Sequence, residues 1–159
     1  TEDYARAVTM LGHTAAPAEE IDRRVSLRLK RQDLLTGPEP PRVWAVLDEG
    51  ALRRAVGGRA VMRAQLQRLI EMAELRHVTV QVAPFARGGH AAAGGSFTML
   101  RFSDPDVPDV VYIEQLTSAL YLDKREHVDH YLEIINQLST EALTPVQSAR
   151  FLAEIIQEM

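Results

Sequence analysis

Two apolar runs separated by one helix-length segment constrain the fold of this chain more than any other feature. Val43-Trp44-Ala45-Val46-Leu47 is apolar throughout rather than alternating. After Asp48-Glu49 and the Gly57-Gly58 break, residues 60–75 take up helical period through Val61, Leu66, Leu69, Ile70 and Ala73, and Val78-Thr79-Val80-Gln81-Val82 then resumes a β pattern. A strand, a helix of about fifteen residues and a second strand are the signature of a βαβ crossover, because parallel partners need a long connection. An all-apolar strand has no solvent face, so residues 43–47 are expected at the sheet centre, covered on both sides.

The flanks supply the remaining elements. The first third reads as helical: Thr1 caps an opening helix, and Pro17 suits a first helical position ahead of residues 19–35, where Ile21, Val25 and Leu29 share one stripe. Thr36-Gly37-Pro38-Glu39-Pro40-Pro41 stops that helix. Beyond Val82, residues 97–102, the turn Ser103-Asp104-Pro105-Asp106-Val107-Pro108 and Val110-Val111-Tyr112-Ile113-Glu114 read as an antiparallel meander. Two helices close the chain. Asp123 with Glu126 forms a capping pair before Val128, Tyr131, Leu132, Ile135 and Leu138, and Thr144-Pro145-Val146-Gln147 opens the last helix with a capping box. Its apolar set, Val146, Ala149, Leu152, Ala153, Ile155, Ile156 and Met159, runs more than halfway round, leaving a surplus for a partner helix or second subunit. The expected fold is α/β: a mixed β-sheet of four to five strands with one βαβ crossover, an antiparallel meander, N-terminal helices and two C-terminal helices, in a single domain over residues 1–159.

Composition removes several functional classes. No cysteine is present, which excludes disulfides, thiolate nucleophiles and cysteine-ligated metals. A net charge of −4 argues against a wholesale electrostatic grip on nucleic acid or anionic membrane. No apolar run approaches the ~20 residues needed to span a bilayer, and the expected compartment is the cytoplasm. The opening Thr1, without an initiator methionine, reads as a piece cut from a longer polypeptide.

Candidate chemistry centres on the segment Arg87-Gly88-Gly89-His90-Ala91-Ala92-Ala93-Gly94-Gly95 between two strands. Its glycines permit close backbone approach to a ligand, yet phosphate-cradling loops join a strand to a helix, and this one joins two strands. His90 can act as a general base if Asp48, Glu49 or Glu114, all at strand ends, come within reach of its ring. The plainer reading makes His90 a solvated loop residue and Asp48 the cap of a turn at residues 51–54; no nucleophile accompanies the histidine. Glu126, His130 and Glu133, with His127 beside them, share a helical face, but nothing completes a coordination sphere, so a solvated charged face is preferred and no metal is assigned. Arg23, Arg24, Arg28, Lys30 and Arg31 form one basic patch, with Arg53, Arg54, Arg59 and Arg63 in a looser second one. Neither contains an aromatic platform for nucleic acid, so pairing with acids or with an acidic protein fits better, and the plainer reading is a solvated charged face.

In order along the whole chain, Thr1-Glu2-Asp3-Tyr4-Ala5-Arg6-Ala7, Arg24-Val25-Ser26-Leu27-Arg28, Arg31-Gln32, Trp44-Ala45-Val46-Leu47-Asp48-Glu49, Leu52-Arg53-Arg54, Val56-Gly57-Gly58, Met62-Arg63-Ala64-Gln65-Leu66, Val78-Thr79-Val80-Gln81-Val82 with Pro84-Phe85, and Val111-Tyr112-Ile113-Glu114 resemble the C-terminal domain of streptomycete-type Xre-class helix-turn-helix regulators. That domain is of unknown function, and the proteins are also called antitoxin-like. The resemblance implies a DNA-binding helix-turn-helix ahead of Thr1, with DNA contacted only through it. This chain is then the ligand-sensing, dimerising or partner-binding part, a homodimer that can also meet a small acidic partner protein. No catalytic residue or cofactor carries over. On this reading Asp48, Glu49, Phe85, His90, Gly94 and Glu114 rim a ligand pocket, and Arg24, Arg28, Arg31, Arg53 and Arg54 face a partner. The competing expectation is a small hydrolase or nuclease using His90 with Asp48, Glu49 and Glu114; a third is direct DNA contact by the basic helix.

Overall fold

Strands β1 (Val43–Asp48) and β2 (Val78–Ala83) run parallel, in register from Val43 opposite Val78 to Asp48 opposite Ala83. The chain crosses between them through α3 (Glu49–Arg53) and α4 (Arg59–Ala73), so the expected βαβ unit is present. The central position expected of β1 is not. These two strands form a sheet of their own, no β1 residue is fully buried, and Trp44 is 48 % exposed. The buried strand is β2, through Val78, Val80, Gln81 and Val82.

A non-strand segment closes the other edge of β2. The Leu143 N–H donates to the Val82 carbonyl (2.9 Å), and the Val82 N–H donates to Ser148 Oγ (3.0 Å). Ser148 Oγ donates in turn to the Leu143 carbonyl (3.2 Å), which also accepts from Gln81 Nε2 (2.9 Å). Gln81 Oε1 takes the Trp44 indole N–H at 2.6 Å, which explains how an apolar strand tolerates a half-exposed tryptophan. Residue 143 thus stands where a third strand would be, and every polar group at this edge of Val82 is satisfied.

The structure, a computed structural model, describes all residues 1–159. The remaining elements are α1 (Glu2–Gly12), α2 (Ala18–Gln32) with a 3-10 turn after it (Asp33–Leu35), a short 3-10 turn at Phe85–Arg87, β3 (Thr98–Leu100), β4 (Val110–Glu114), β5 (Ala119–Leu122), α5 (Arg125–Glu141) and α6 (Pro145–Glu158). The chain divides into two compact units, Thr1–Phe85 with Leu143–Met159, and Ala86–Ala142.

In the first unit Leu52, Met62, Leu66, Val82, Leu152 and Ile155 form one buried cluster from α3, α4, β2 and α6. Met62 was not among the apolar positions read from α4, yet it is 1 % exposed. The α6 capping box forms as expected: Thr144 Oγ1 accepts from the Gln147 N–H and Gln147 Oε1 accepts from the Thr144 N–H. Its inner face runs through Ser148, Leu152 and Ile155, whereas Val146 is 65 % exposed. Pro17 precedes α2 as its N-cap, one residue before the position expected. Ile21 and Val25 are buried, while Thr1 turns its hydroxyl to Gln65 Oε1 (3.1 Å) instead of capping α1. Gly57 has φ +76°, and a Cβ there would lie 2.9 Å from the Val61 side chain and 3.0 Å from Ala7, so only glycine lets α1 approach the start of α4 so closely.

In the second unit β3, β4 and β5 form the antiparallel meander, with Met99 opposite Val111 opposite Leu122. β3 is shorter than residues 97–102, and β5 had no counterpart among the strands read individually from sequence. The α/β class holds, but the five strands divide into a two-stranded parallel and a three-stranded antiparallel sheet instead of one mixed sheet. Leu143 and Ser148 occupy the edge of β2 at Val82, so no further strand pairs on that side. α5 begins at Arg125 after Lys124, so Asp123 does not cap it.

Replacing Ser148 by Ala leaves the Val82 N–H buried without an acceptor. The expected loss is about 1–3 kcal/mol in urea unfolding, with an unchanged native circular dichroism spectrum.

Candidate functional site

The glycine-rich segment folds into successive turns after β2. The Ala93 N–H donates to the His90 carbonyl (3.0 Å) and the Gly95 N–H to the Ala92 carbonyl (3.1 Å). Gly95 has φ +144°, a conformation that a side chain would strain. So folded, the segment lies against β4 and α5 of its own unit and leaves a cleft of about 180 Å³. Ala91, Ala92, Gly94, Gly95 and Ser96 form one wall, and Phe97, Ile113, Tyr131 and Ile134 form the other. Phe97 and Tyr131 meet edge to face with centroids 4.8 Å apart. Tyr131 and Ile134 are three residues apart on α5, which puts both on the face that borders the cleft.

No charged side chain lines this cleft, and the hydroxyls of Ser96 and Tyr131 are its side-chain polar groups. Such a lining disfavours ions, whose desolvation would go uncompensated. It suits a small neutral molecule with much apolar surface; an apolar cavity of about 150 Å³ accommodates benzene.

The six residues read from sequence as a ligand rim divide between the units. Asp48, Glu49 and Phe85 belong to the first, and His90, Gly94 and Glu114 to the second. Gly94 lines the cleft, His90 begins its turns, and Glu114 ends β4 opposite Ala119. Asp48 caps α3, accepting from the Gly50 N–H at 2.7 Å, as the plainer reading had it. Glu49 is 7 % exposed and fully engaged: Oε1 accepts from Arg53 Nε (2.5 Å) and Oε2 from the Phe85 N–H (2.8 Å). It therefore fixes the chain just beyond β2. Phe97 and Ile113 were legible only as strand residues and Tyr131 only as a core residue, and Ile134 was not among the apolar positions read from its helix; nothing in the sequence pairs position 97 with position 131.

The arginines differ in occupation. Arg53 bridges Glu49 and Glu158 (2.6 Å) and lies 5.7 Å from the centroid of the Phe151 ring; hydrogen bonding to Glu158, then to Glu49, raises its already high pKa. Arg24 donates twice to Glu20 (2.9 and 2.6 Å), and holds that carboxyl below its ordinary range. Arg28, Arg31 and Arg54 are exposed and make no ion pair. Of the helical face once weighed as a metal site, His127 Nε2 lies 3.7 Å from Glu126, and no three histidine or carboxylate side chains converge as ligands. No helix is long and apolar enough to cross a membrane.

A model of the family described as "Domain of unknown function (DUF5753)" matches residues 1–154. No curated protein and no solved structure is detectably similar to the chain.

Glu49→Ala removes the acceptor of the Phe85 N–H, and a loss of about 1–3 kcal/mol in unfolding free energy is expected. Glu49→Gln keeps an acceptor for Phe85 while giving up the ion pair, and is expected to lose less in the same denaturation assay.

Proposed function

The chain belongs to the family of domains of unknown function DUF5753, and on that premise we propose that it is the signal-receiving domain of a bacterial helix-turn-helix transcriptional regulator. The signal on this reading is a small, neutral, largely apolar molecule held between the glycine-rich turns and the Phe97–Tyr131 pair. The observation that carries the proposal is the uncharged cleft of about 180 Å³. It is built from a segment whose glycines let the backbone fold over a ligand, against a wall of β4 and α5.

The regulator half rests on the ordered resemblance to Xre-class proteins along the chain. On this reading a DNA-reading helix-turn-helix precedes Thr1 in the parent polypeptide, DNA contact is confined to it, and the protein works in the cytoplasm. A small acidic partner protein is the second signal this reading accommodates. Arg28, Arg31 and Arg54, exposed and without ion pairs, supply the charge to steer such an encounter. The hydrolytic alternative has less support, because Asp48 and Glu49 already serve to cap α3 and to anchor Phe85 and Arg53.

Phenol and indole are suitable probes of the cleft. At about ten times its dissociation constant a probe stabilises by about 1.4 kcal/mol, which for a chain of this size raises the melting temperature by roughly 3–6 °C. Ala92→Leu, which fills the cleft, is expected to abolish that rise while leaving the unliganded melt unchanged. A wild-type chain whose melt and tyrosine fluorescence ignore both probes at millimolar concentration overturns the ligand reading; steady hydrolytic turnover that disappears in His90→Ala overturns the regulatory one.

A further inference from the structure

The edges of the three-stranded sheet are not equally protected. β5 is hydrogen-bonded to β4 alone, so its other side is an open edge. The bond from the Gln115 N–H to the Ser118 carbonyl (2.9 Å) sets the phase of this hairpin. With Ile113 opposite Leu120 and Val111 opposite Leu122, the antiparallel alternation directs the backbones of Leu120 and Leu122 at β4. It turns the N–H and C=O groups of Ala119 and Tyr121 outward.

Natural sheets guard such an edge with lysine, proline, a bulge or a very short strand. β3 is only three residues long and runs into an Arg101–Asp109 ion pair, and β1 is preceded by Pro40-Pro41-Arg42. From Gln115 to Leu122 there is no charge and no proline. Tyr121 is 70 % exposed, Leu120 46 %, and Leu116 at the hairpin corner is fully exposed. The strand offers four unpaired backbone groups bordered by apolar side chains.

We propose that β5 is the contact through which two copies of this chain pair, edge to edge, as one continuous six-stranded antiparallel sheet. A second copy fits better than an unrelated strand because the pairing is self-complementary. A two-fold axis through Leu120 sets Ala119 of each copy against Tyr121 of the other, and the four outward groups of each strand satisfy their counterparts. An uncharged edge also has nothing with which to select a charged partner, whereas the same uncharged edge of a second copy brings no like charge directly opposite it. The contact is small, so the dimer dissociates in the micromolar range rather than being permanent.

Two variants of the 159-residue chain test this. Sedimentation velocity of the wild type across the micromolar range is expected to show a concentration-dependent dimer. Tyr121→Lys puts a charge on the exposed edge and is expected to weaken dimerisation at least tenfold, with its thermal melt showing that the fold survives. Leu120→Cys sits at the axis in a pair not bridged by hydrogen bonds, where the Cα atoms of the two strands approach to about 4.5 Å, a distance compatible with a disulfide. Because the chain has no cysteine of its own, a covalent dimer of this variant under mild oxidation reports that contact alone. A wild type that stays monomeric throughout, a dimer indifferent to Tyr121→Lys, or a Leu120→Cys variant that forms no covalent dimer each overturns the proposal.

Discussion

The first unit depends on how one strand edge is finished. A two-stranded parallel sheet is a poor scaffold by itself, since each strand leaves a row of backbone groups unpaired and only a few side chains can be covered. Here the second edge of β2 is closed at Val82 by the backbone of Leu143 and the hydroxyl of Ser148, a residue with no exposed surface. The same carbonyl of Leu143 receives Gln81, whose other end receives Trp44. One chain of hydrogen bonds thus runs from the exposed indole on β1 through β2 to the start of α6, and the apolar cluster of Leu52, Met62, Leu66, Leu152 and Ile155 is assembled around β2. Buried donors and acceptors linked in this way are costly to break, because the loss of any member strands its neighbour in a dry environment.

The chain beyond β2 inherits two fixed points from this arrangement. It is held at Phe85 by the buried carboxylate of Glu49, and it returns to the same unit at Leu143. Between them lie the glycine-rich turns, the meander and α5, with a cleft whose chemistry contrasts with the charged surfaces elsewhere. Arg28, Arg31 and Arg54, exposed and without ion pairs, are on the first unit, while the cleft in the second is lined by no charged side chain.

Local chemistry made part of this legible. The capping box at Thr144 and Gln147 is visible four residues at a time, because both hydrogen bonds close within one turn. The strand, helix, strand succession is visible because burial imposes a period on each element, and the antiparallel partner strands β3 and β4 follow from the Pro-rich turn between them. Asp123 shows the limit: its spacing to Glu126 satisfies the same capping rule, yet Lys124 takes the cap position and the helix starts at Arg125, one residue later than that rule sets it, after β5 has extended to Leu122. The candidate rim shows it again. Asp48, Glu49 and Phe85 belong to one unit and His90, Gly94 and Glu114 to the other, a division that their shared position near strand ends does not reveal in the sequence.

The amino-acid order by itself determined the α/β class, the crossover, the placement of the helices and the family, all of which follow from periodicity, turn residues and motif succession over short spans. Tertiary structure alone decided that β2 and not β1 is the buried strand, that five strands make two sheets, and that Phe97 packs edge to face on Tyr131 beside a cleft. Those outcomes depend on which distant group satisfies a given backbone edge, Ser148 at Val82 above all. A serine inside a helix carries no mark in the sequence of the N–H it will meet, because that partner is chosen by packing over the whole chain and not by its neighbours.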